Sequence, residues 1–259
     1  MLKKRIVTLL LFSVFALQAV PAISGQTRMI LIKNAQIIDG TGKARFLADL
    51  RIKEGKIVKI GKLKASSSDE VIDATGLVLA PGCIDIHNHS ESGLLREGTA
   101  GNQVSQGITT VIVGPDGGSP FPLKDYFAKL DGKVAVNVGA FIGHATLREQ
   151  AMNKDFVRKA TDAEITQMEK LLEQSMSEGA FGLSSGLEYD VGFSASTEEM
   201  IALAKVAARH GGIYMPHMRD EEEGMLNALR ESIHIGREAK IPVHISHIKM
   251  GNRNVWGKS

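Results

Sequence analysis

The stretch PGCIDIHNH, residues 81–89, decides the fold: it opens on a Pro-Gly turn, continues as a short apolar strand and ends in two histidines. Residues two apart on an extended strand project to the same face, so His87 and His89 can reach one metal ion together. Asp85 shares their parity and could orient one of the two rings by a hydrogen bond. An H-x-H pair is common by chance, so its meaning depends on the rest of the chain.

After Pro81 the sequence alternates between strand-like apolar runs and segments with helical periodicity. One helical segment opens with Thr161 and Glu164, which have the spacing of a capping box. Strands that alternate with helices predict a parallel sheet, and strands that are apolar throughout predict burial on both faces. An α/β architecture follows, either a (β/α) barrel or a doubly wound sheet. The six strand-like runs are residues 83–86, 108–113, 134–142, 180–183, 212–215 and 241–245.

The part of the chain before this domain contains two other segments. Residues 1–24 have a basic start, an apolar run of about 15 residues and small residues at a cleavage position, as in a secretory signal peptide. This run is shorter than the roughly 20 residues of a membrane-spanning helix, so we expect no membrane attachment after cleavage and a periplasmic or secreted protein. Short apolar segments separated by turns predict a small antiparallel β unit within residues 25–80.

The composition narrows the range of partners. The 31 Lys and Arg residues nearly balance the 29 Asp and Glu residues, so the chain lacks the excess positive charge by which proteins bind nucleic acids or anionic membranes. Cys83 is the one cysteine in the sequence, which excludes an internal disulfide. Its apolar neighbours predict a buried and inert thiol.

Five of the eight histidines end or closely follow one of the strand-like runs. In a parallel α/β barrel the carboxyl ends of all strands point to one face, where catalytic groups gather. A single histidine in this position is usually a structural hydrogen-bonding group, whereas several of them indicate ligands that share one metal ion. Imidazole is a common ligand of Zn²⁺ and similar ions. The five are His87, His89, His144, His217 and His247.

Six stretches carry motifs that are loose singly and specific in combination: PGCIDIHNH (81–89), QGITTVIVG (106–114), GHATLR (143–148), GLSSGLEY (182–189), MPHMRDE (215–221) and HISHIK (244–249). Together they resemble the D-aminoacylases (N-acyl-D-amino-acid deacylases) of the amidohydrolase superfamily. The resemblance runs from about residue 30 to the end of the chain. It implies a metal-dependent (β/α)₈ TIM barrel, of which residues 81–259 supply about six strands, preceded by a small β-sandwich that residues 25–80 begin.

The resemblance also implies a function for individual residues. His87, His89, His217 and His247 match the histidine ligands of one or two Zn²⁺ ions. The implied reaction is hydrolysis of the amide bond of N-acyl-D-amino acids, which are small-molecule substrates. Tyr189 and Lys249 match positions that contact the substrate. Arg219, beside a ligand, is expected to make the same contact, and His144, in a recurrent G-H motif, is expected to line the site.

One departure from the family concerns the metal bridge. The family has a bridging cysteine in a G-N-C-G stretch after strand two, whereas this chain reads GPDGG at residues 114–118, with Asp116 in place of the cysteine. A carboxylate can also bridge two cations, although a harder oxygen ligand changes the metal preference. Pro-Asp-Gly-Gly is also a turn-forming sequence, so a ligand and a turn former both remain open. Glu188, near the end of strand four, is the competing carboxylate.

The other departure concerns the catalytic aspartate, which follows strand eight in the family. Only six barrel strands are counted before Ser259, so no residue is assigned as the catalytic base, and the barrel within this chain is expected to be incomplete at its C-terminal side. We expect a fragment of a longer gene product, with a degenerate remnant as the alternative. Glu221, Glu222 and Glu223 are predicted to form a solvated acidic first turn of a helix.

Two other functions remain as alternatives. A cyclic-amide hydrolase, such as a dihydroorotase or a hydantoinase, shares the H-x-H motif and the barrel. Those enzymes usually bridge their metals with a carboxylated lysine after strand four, and residues 180–190 contain no lysine, which argues against this function. The second alternative is a catalytically incomplete chain that only binds metal.

Overall fold

Two compact units, divided after Pro81, make up the computed structural model, which describes residues 29–153 and 155–257. The predicted signal peptide, residues 1–24, lies outside the described residues. None of the described helices combines the length and the apolarity that crossing a bilayer requires.

The first unit is a five-stranded sheet. Its strands are β1 (Met29–Ile37), β2 (Phe46–Lys53), β3 (Lys56–Gly61), β4 (Asp69–Asp73) and β5 (Val78–Leu79). Their order is β3-β2-β1-β4, and β5 also pairs with β1. The first three strands are antiparallel neighbours, but β4 and β5 run parallel to β1. The prediction of a purely antiparallel unit is therefore wrong, because residues 62–68 cross to the far edge of β1 instead of turning back in a hairpin.

A buried carboxylate joins the irregular middle of β1 to the loop after β3. Asp49 is 8% exposed; its Oδ1 accepts the amide hydrogen of Asn34 (2.9 Å) and its Oδ2 that of Leu63 (2.8 Å). The amides of Leu63 and Asn34 hold the pKa of Asp49 below its ordinary value. The carboxylate therefore stabilises the fold at neutral pH, and this contribution is lost as the pH falls through the lowered pKa.

Replacing Asp49 by alanine is expected to lower the free energy of unfolding at pH 7 by about 1–3 kcal/mol, because two amides lose their acceptor. The loss of stability on acidification should also be smaller in Asp49→Ala than in the wild type. Urea denaturation followed by circular dichroism at neutral and acidic pH measures both effects. Glu54→Gln, at an exposed turn, serves as the control. Equal stability of Asp49→Ala and wild type at neutral pH would contradict the assigned hydrogen bonds.

The second unit alternates strands and helices. Its strands are β6 (Cys83–Asn88), β7 (Ile108–Val113), β8 (Asn137–Ala140), β9 (Ile142–Gly143), β10 (Gly182–Gly186) and β11 (Ile213–His217). Its helices are α1 (Glu91–Arg96), α2 (Gly101–Val104), α3 (Leu123–Leu130), α4 (His144–Met152), α5 (Asp162–Ser177), α6 (Asp190–Phe193), α7 (Thr197–Arg209) and α8 (Met225–Ala239), followed by a 3₁₀ turn at Arg253–Val255. The predicted capping box at the start of α5 is confirmed: both of its hydrogen bonds are present.

All strand pairs of the second unit are parallel, in the orders β6-β7-β8 and β9-β10-β11. The predicted third strand is divided at Phe141, whose amide still donates to the carbonyl of Val113 (2.8 Å). The predicted sixth strand is reduced to one parallel bridge, between Tyr214 and Val243. No pairing among the described residues closes this sheet into a barrel, so closure stays a prediction.

The core of the second unit lies between the strands and helices α5, α7 and α8. Its fully buried side chains include Met168, Leu172, Met200, Leu203 and Ile235. The prediction of a buried Cys83 is wrong, because this residue is exposed. It begins β6, which lies at the edge of its sheet, beside the largely exposed Ile84.

Candidate metal centre

The candidate site lies where strands of the second unit end. His87 is the second-to-last residue of β6, and His217 ends β11. Asp116 follows β7 by three residues, and His247 follows the bridge at Val243. Since these strands are parallel, their carboxyl ends meet at one edge, and the four side chains converge there.

Two pairs of histidines face the carboxylate of Asp116. Its Oδ2 lies 3.2 Å from Nε2 of His87 and 3.2 Å from Nε2 of His89. Its Oδ1 lies 3.9 Å from Nδ1 of His217, which is 3.1 Å from Nε2 of His247. Asp116 thus belongs to two groups, one with each histidine pair, and within each group the potential ligand atoms lie within 4.8 Å of one another.

The loop that carries Asp116 is a tight turn. Asp116 itself has φ +57°, a left-handed conformation that Asp and Asn tolerate better than most residues. Gly117 follows with φ +87°, and a Cβ on it would lie 2.7 Å from the amide nitrogen of Gly186. The hydroxyl of Ser184 donates to the carbonyl of Gly114 (2.6 Å) and accepts the amide hydrogen of Gly117 (3.2 Å). Asp116 therefore forms part of the turn and also places its carboxylate beside the histidines, so the two roles are compatible.

A second carboxylate at the site was missed by the sequence reasoning. Glu221 is 3% exposed, which corrects the prediction of a solvated helical turn. The helix α8 begins only at Met225, and the loop before it directs Glu221 inwards, with Oε1 2.5 Å from Nδ1 of His247 and Oε2 2.5 Å from Nζ of Lys249. One indication in the sequence that Glu221 belongs to the site is its position four residues after His217.

Glu188 and Tyr189 both contact the ring of His217. Oε2 of Glu188 lies 2.9 Å from Nε2 of His217. The ring of Tyr189 packs against this imidazole at an interplanar angle of 33° with 4.5 Å between centroids, and its hydroxyl lies 3.1 Å from Nδ1. Burial and the neighbouring charge of Asp116 raise the pKa of Tyr189, so the phenol stays protonated at neutral pH.

Arg219 is directed to other partners. Its guanidinium donates to both carboxylate oxygens of Glu231 (2.9 Å each) and to the carbonyls of Phe193 (2.8 Å) and Ala195 (3.0 Å). These bonds tie the loop after α6 to α8. The structure does not bring Arg219 into either histidine group. Its hydrogen bonds favour a structural role over the expected contact with a substrate.

His144 is enclosed in the core. It has no exposed surface, and its Nε2 lies 2.8 Å from Oε1 of Glu199, which also binds Nη1 of Arg148 (2.7 Å). Burial lowers the pKa of His144. The expectation that His144 lines the site is not supported, because its ring is occupied between α4 and α7. This buried network was also missed by the sequence reasoning.

Comparison with known proteins places the chain in a family. The model of the amidohydrolase family matches residues 70–252, more than half of the chain. The chain belongs to the amidohydrolase family. This amidohydrolase is 38% identical over 254 residues to the D-aminoacylase of Alcaligenes xylosoxydans xylosoxydans, an alignment that takes in 89% of the chain and 52% of that protein. The chain therefore spans about half the length of the curated relatives it matches.

Solved structures give the same assignment. One is a D-aminoacylase with a binuclear metal centre (35% identity, TM-score 0.81, 88% of this amidohydrolase and 53% of that chain). Another is the N-acyl-D-glutamate deacylase of Bordetella bronchiseptica, complexed with zinc and a phosphonate mimic of the reaction's tetrahedral intermediate (35% identity, TM-score 0.84, 90% and 53%). The amidohydrolase shares their mixed α/β fold.

The donor set of the amidohydrolase fits a divalent metal. Oδ1 of Asp116 is buried without a hydrogen-bond partner among the described residues. A buried acceptor without a partner is unfavourable unless a cation satisfies it. Burial also lowers the pKa of His87, which keeps the ring neutral and its lone pair available. Imidazole nitrogens and carboxylate oxygens are ligands that Zn²⁺ accepts.

A cleft opens beside the first histidine pair. Its volume is about 610 Å³, within the range of small-molecule sites. Glu91 and Tyr126 form one wall, where the Tyr126 hydroxyl donates to the Glu91 carbonyl (3.2 Å). Burial raises the pKa of Tyr126 to about 12. The walls include His89, Glu91, Leu95, Asp116, Tyr126 and Tyr189.

Proposed function

We propose that this amidohydrolase hydrolyses the amide bond of N-acyl-D-amino acids at a centre of one or two Zn²⁺ ions. The observation that carries the proposal is the position of Asp116 between two histidine pairs. A carboxylate shared by two ligand groups suits a site with two adjacent cations. Identity of 35–38% to D-aminoacylases and to an N-acyl-D-glutamate deacylase supports the substrate class.

Each ligand has a place in the proposed centre. His87 and His89 would hold an ion on the Oδ2 side of Asp116, and His217 and His247 would hold one on its other side. Such an ion, when bound, supplies Lewis acidity, which polarises a carbonyl oxygen and lowers the pKa of water. The side chain of His217 is 3% exposed and that of Asp116 is 12% exposed, so little bulk water reaches the inner side of the site, which strengthens electrostatic interactions there.

Two side chains of the chain itself are suited to orient the substrate. Lys249 has a half-exposed side chain beside the histidines, and its hydrogen bond to Glu221 raises its pKa. Its ammonium group therefore stays charged and can pair with the carboxylate of an N-acyl amino acid. The protonated hydroxyl of Tyr189, which is 47% exposed, can donate a hydrogen bond to an oxygen of the same substrate.

We also propose that the parallel strands of this unit belong to a (β/α)₈ barrel. Six consecutive strand positions, from β6 to the bridge at Val243, follow one another as parallel neighbours. The proposed ligands lie at or just after the carboxyl ends of β6, β7 and β11. Barrel enzymes have their active sites at the same ends of their strands.

For residues 1–24 we propose export by a cleaved signal peptide, which places the mature protein in the periplasm or outside the cell. The support is the order of a basic start, an apolar run and small residues before Gly25. The near balance of charged residues fits a protein whose partner is a small molecule rather than a nucleic acid or a membrane.

Removal of metal tests the proposed function. Dialysis of the purified full-length gene product against a strong chelator is expected to lower kcat/KM for N-acetyl-D-amino acids at least about 100-fold, and added Zn²⁺ should restore it, because the ion supplies the Lewis acid. Matched assays with N-acetyl-L-amino acids and with a cyclic amide such as hydantoin define the substrate class. Turnover that survives complete metal removal, or zinc binding without any turnover of the D-substrates, would contradict the proposal.

A further inference from the structure

Glu221 is enclosed by three groups that can carry a positive charge. Its Oε1 lies 2.5 Å from Nδ1 of His247, and its Oε2 lies 2.5 Å from Nζ of Lys249 and 3.6 Å from Nε2 of His217. The residue is 3% exposed, whereas the adjacent Glu222 and Glu223 are exposed. Of the three consecutive glutamates, Glu221 is therefore the one buried at the candidate metal centre.

The backbone fixes this arrangement independently of the side chain. The carbonyl of Glu221 accepts the amide hydrogen of Gly251 at 2.8 Å. The segment that carries His247 and Lys249 is thereby tied at its far end to the loop after β11. Further back, the amide of Ser246 donates to the carbonyl of Pro216 (3.1 Å), so both ends of the segment are held.

We propose that Glu221 is a positioning residue of the metal centre: it orients His247 so that Nε2 faces the metal, and it holds Lys249 at the edge of the site. The proposal rests on the proposed zinc centre. A carboxylate oxygen and an unprotonated ring nitrogen 2.5 Å apart would repel each other, so Nδ1 of His247 carries the hydrogen. That leaves the lone pair on Nε2, which lies 3.1 Å from Nδ1 of His217 in the second ligand group. Carboxylates commonly hold metal-ligating histidines in this way.

The alternative role for Glu221 is that of a ligand, since Glu188, His217 and Glu221 also form a group of potential metal ligands. The contacts favour positioning. Oε2 of Glu221 already lies 2.5 Å from the ammonium group of Lys249, and a metal cation bound to the same oxygen would be repelled by that charge. Oε1 faces Nδ1 of His247, at 2.5 Å.

The test compares Glu221→Gln with Glu222→Gln, a matched change at the exposed neighbour. Zinc affinity is measured by competition with a chromophoric chelator, zinc content by elemental analysis, and ligand geometry by the visible spectrum of the Co²⁺ form. We expect Glu221→Gln to weaken zinc binding about 10–100-fold, the usual loss when a group behind a ligand is removed. The zinc content at saturation should be unchanged and the Co²⁺ spectrum shifted, while Glu222→Gln matches the wild type in all three.

The same measurements distinguish a failure of the positioning role from a failure of the proposed zinc centre. Wild-type affinity and a wild-type Co²⁺ spectrum in Glu221→Gln would overturn the positioning role, and a lower zinc content at saturation would show that Glu221 is a ligand. A wild-type protein that binds no zinc would instead count against the proposed function. If Glu221→Gln unfolds at a lower temperature without metal, Glu221→Asp is compared in its place. Glu221→Asp keeps the negative charge on a side chain that is one methylene shorter, and it should bind zinc more weakly than the wild type. Wild-type zinc affinity in Glu221→Asp would overturn the proposal.

Discussion

Asp116→Ala is expected to remove zinc from both histidine pairs and to lower kcat/KM for N-acetyl-D-amino acids at least about 100-fold, because residues that only support a metal ligand are already worth 10–100-fold. The carboxylate contacts His87 and His89 through one oxygen and is nearest His217 through the other. No single-histidine variant affects both groups in this way. Zinc content and steady-state kinetics measure the two losses.

Two further variants serve as a replacement ligand and as a control for Asp116→Ala. Asp116→Cys replaces the carboxylate with the thiolate that the resemblance to D-aminoacylases implies at this position, and it should recover metal binding with a preference shifted towards softer ions such as Cd²⁺. Asp131→Ala, an exposed aspartate after α3, should behave as the wild type. Full zinc content and full turnover in Asp116→Ala would show that Asp116 serves only the turn.

Glu199→Ala is expected to lower the free energy of unfolding by about 3–5 kcal/mol, because it leaves a buried charge without its partner. Arg148 has no exposed surface and donates to both oxygens of Glu199, at 2.7 and 2.8 Å. Burial alone would raise the pKa of Glu199, but hydrogen bonds from His144 and Arg148 outweigh it and lower the pKa overall. The carboxylate is therefore charged at neutral pH.

Urea denaturation of Glu199→Ala and Glu198→Ala at neutral pH measures this effect. Glu198 precedes Glu199 in the first turn of α7 but is exposed, so its replacement should change the free energy of unfolding by less than about 1 kcal/mol. Nearly equal stabilities of the two variants would show that the buried network contributes little to folding.

The sequence allowed the convergence of the histidines to be predicted, because it depends on periodicity and on one topological rule. His87 and His217 lie at the ends of strands that are parallel, and parallel strands place their carboxyl ends at the same edge. Asp116 could be placed for the same reason, within a turn whose residue types fit its backbone geometry.

Other side chains beyond the strand ends could not be placed from the sequence. The alternation of side chains stops with the strand, so nothing in the sequence shows that Arg219 turns towards Glu231. A run of three acidic residues favours solvent, whereas Glu221 is buried against His247 and Lys249, which lie 26 and 28 residues further along the chain. The buried pairing of His144 likewise depends on a partner 55 residues away, which local patterns do not reveal.

The most direct measurement is the anomalous scattering of a zinc-loaded crystal at the zinc absorption edge. We predict a peak bonded to Nδ1 of His217, Nε2 of His247 and a carboxylate oxygen of Asp116, at roughly 2.0–2.2 Å, with any second peak at His87 and His89. A zinc peak on the opposite side of His217, between its Nε2 and Glu188, or no ordered zinc at these residues, would contradict it.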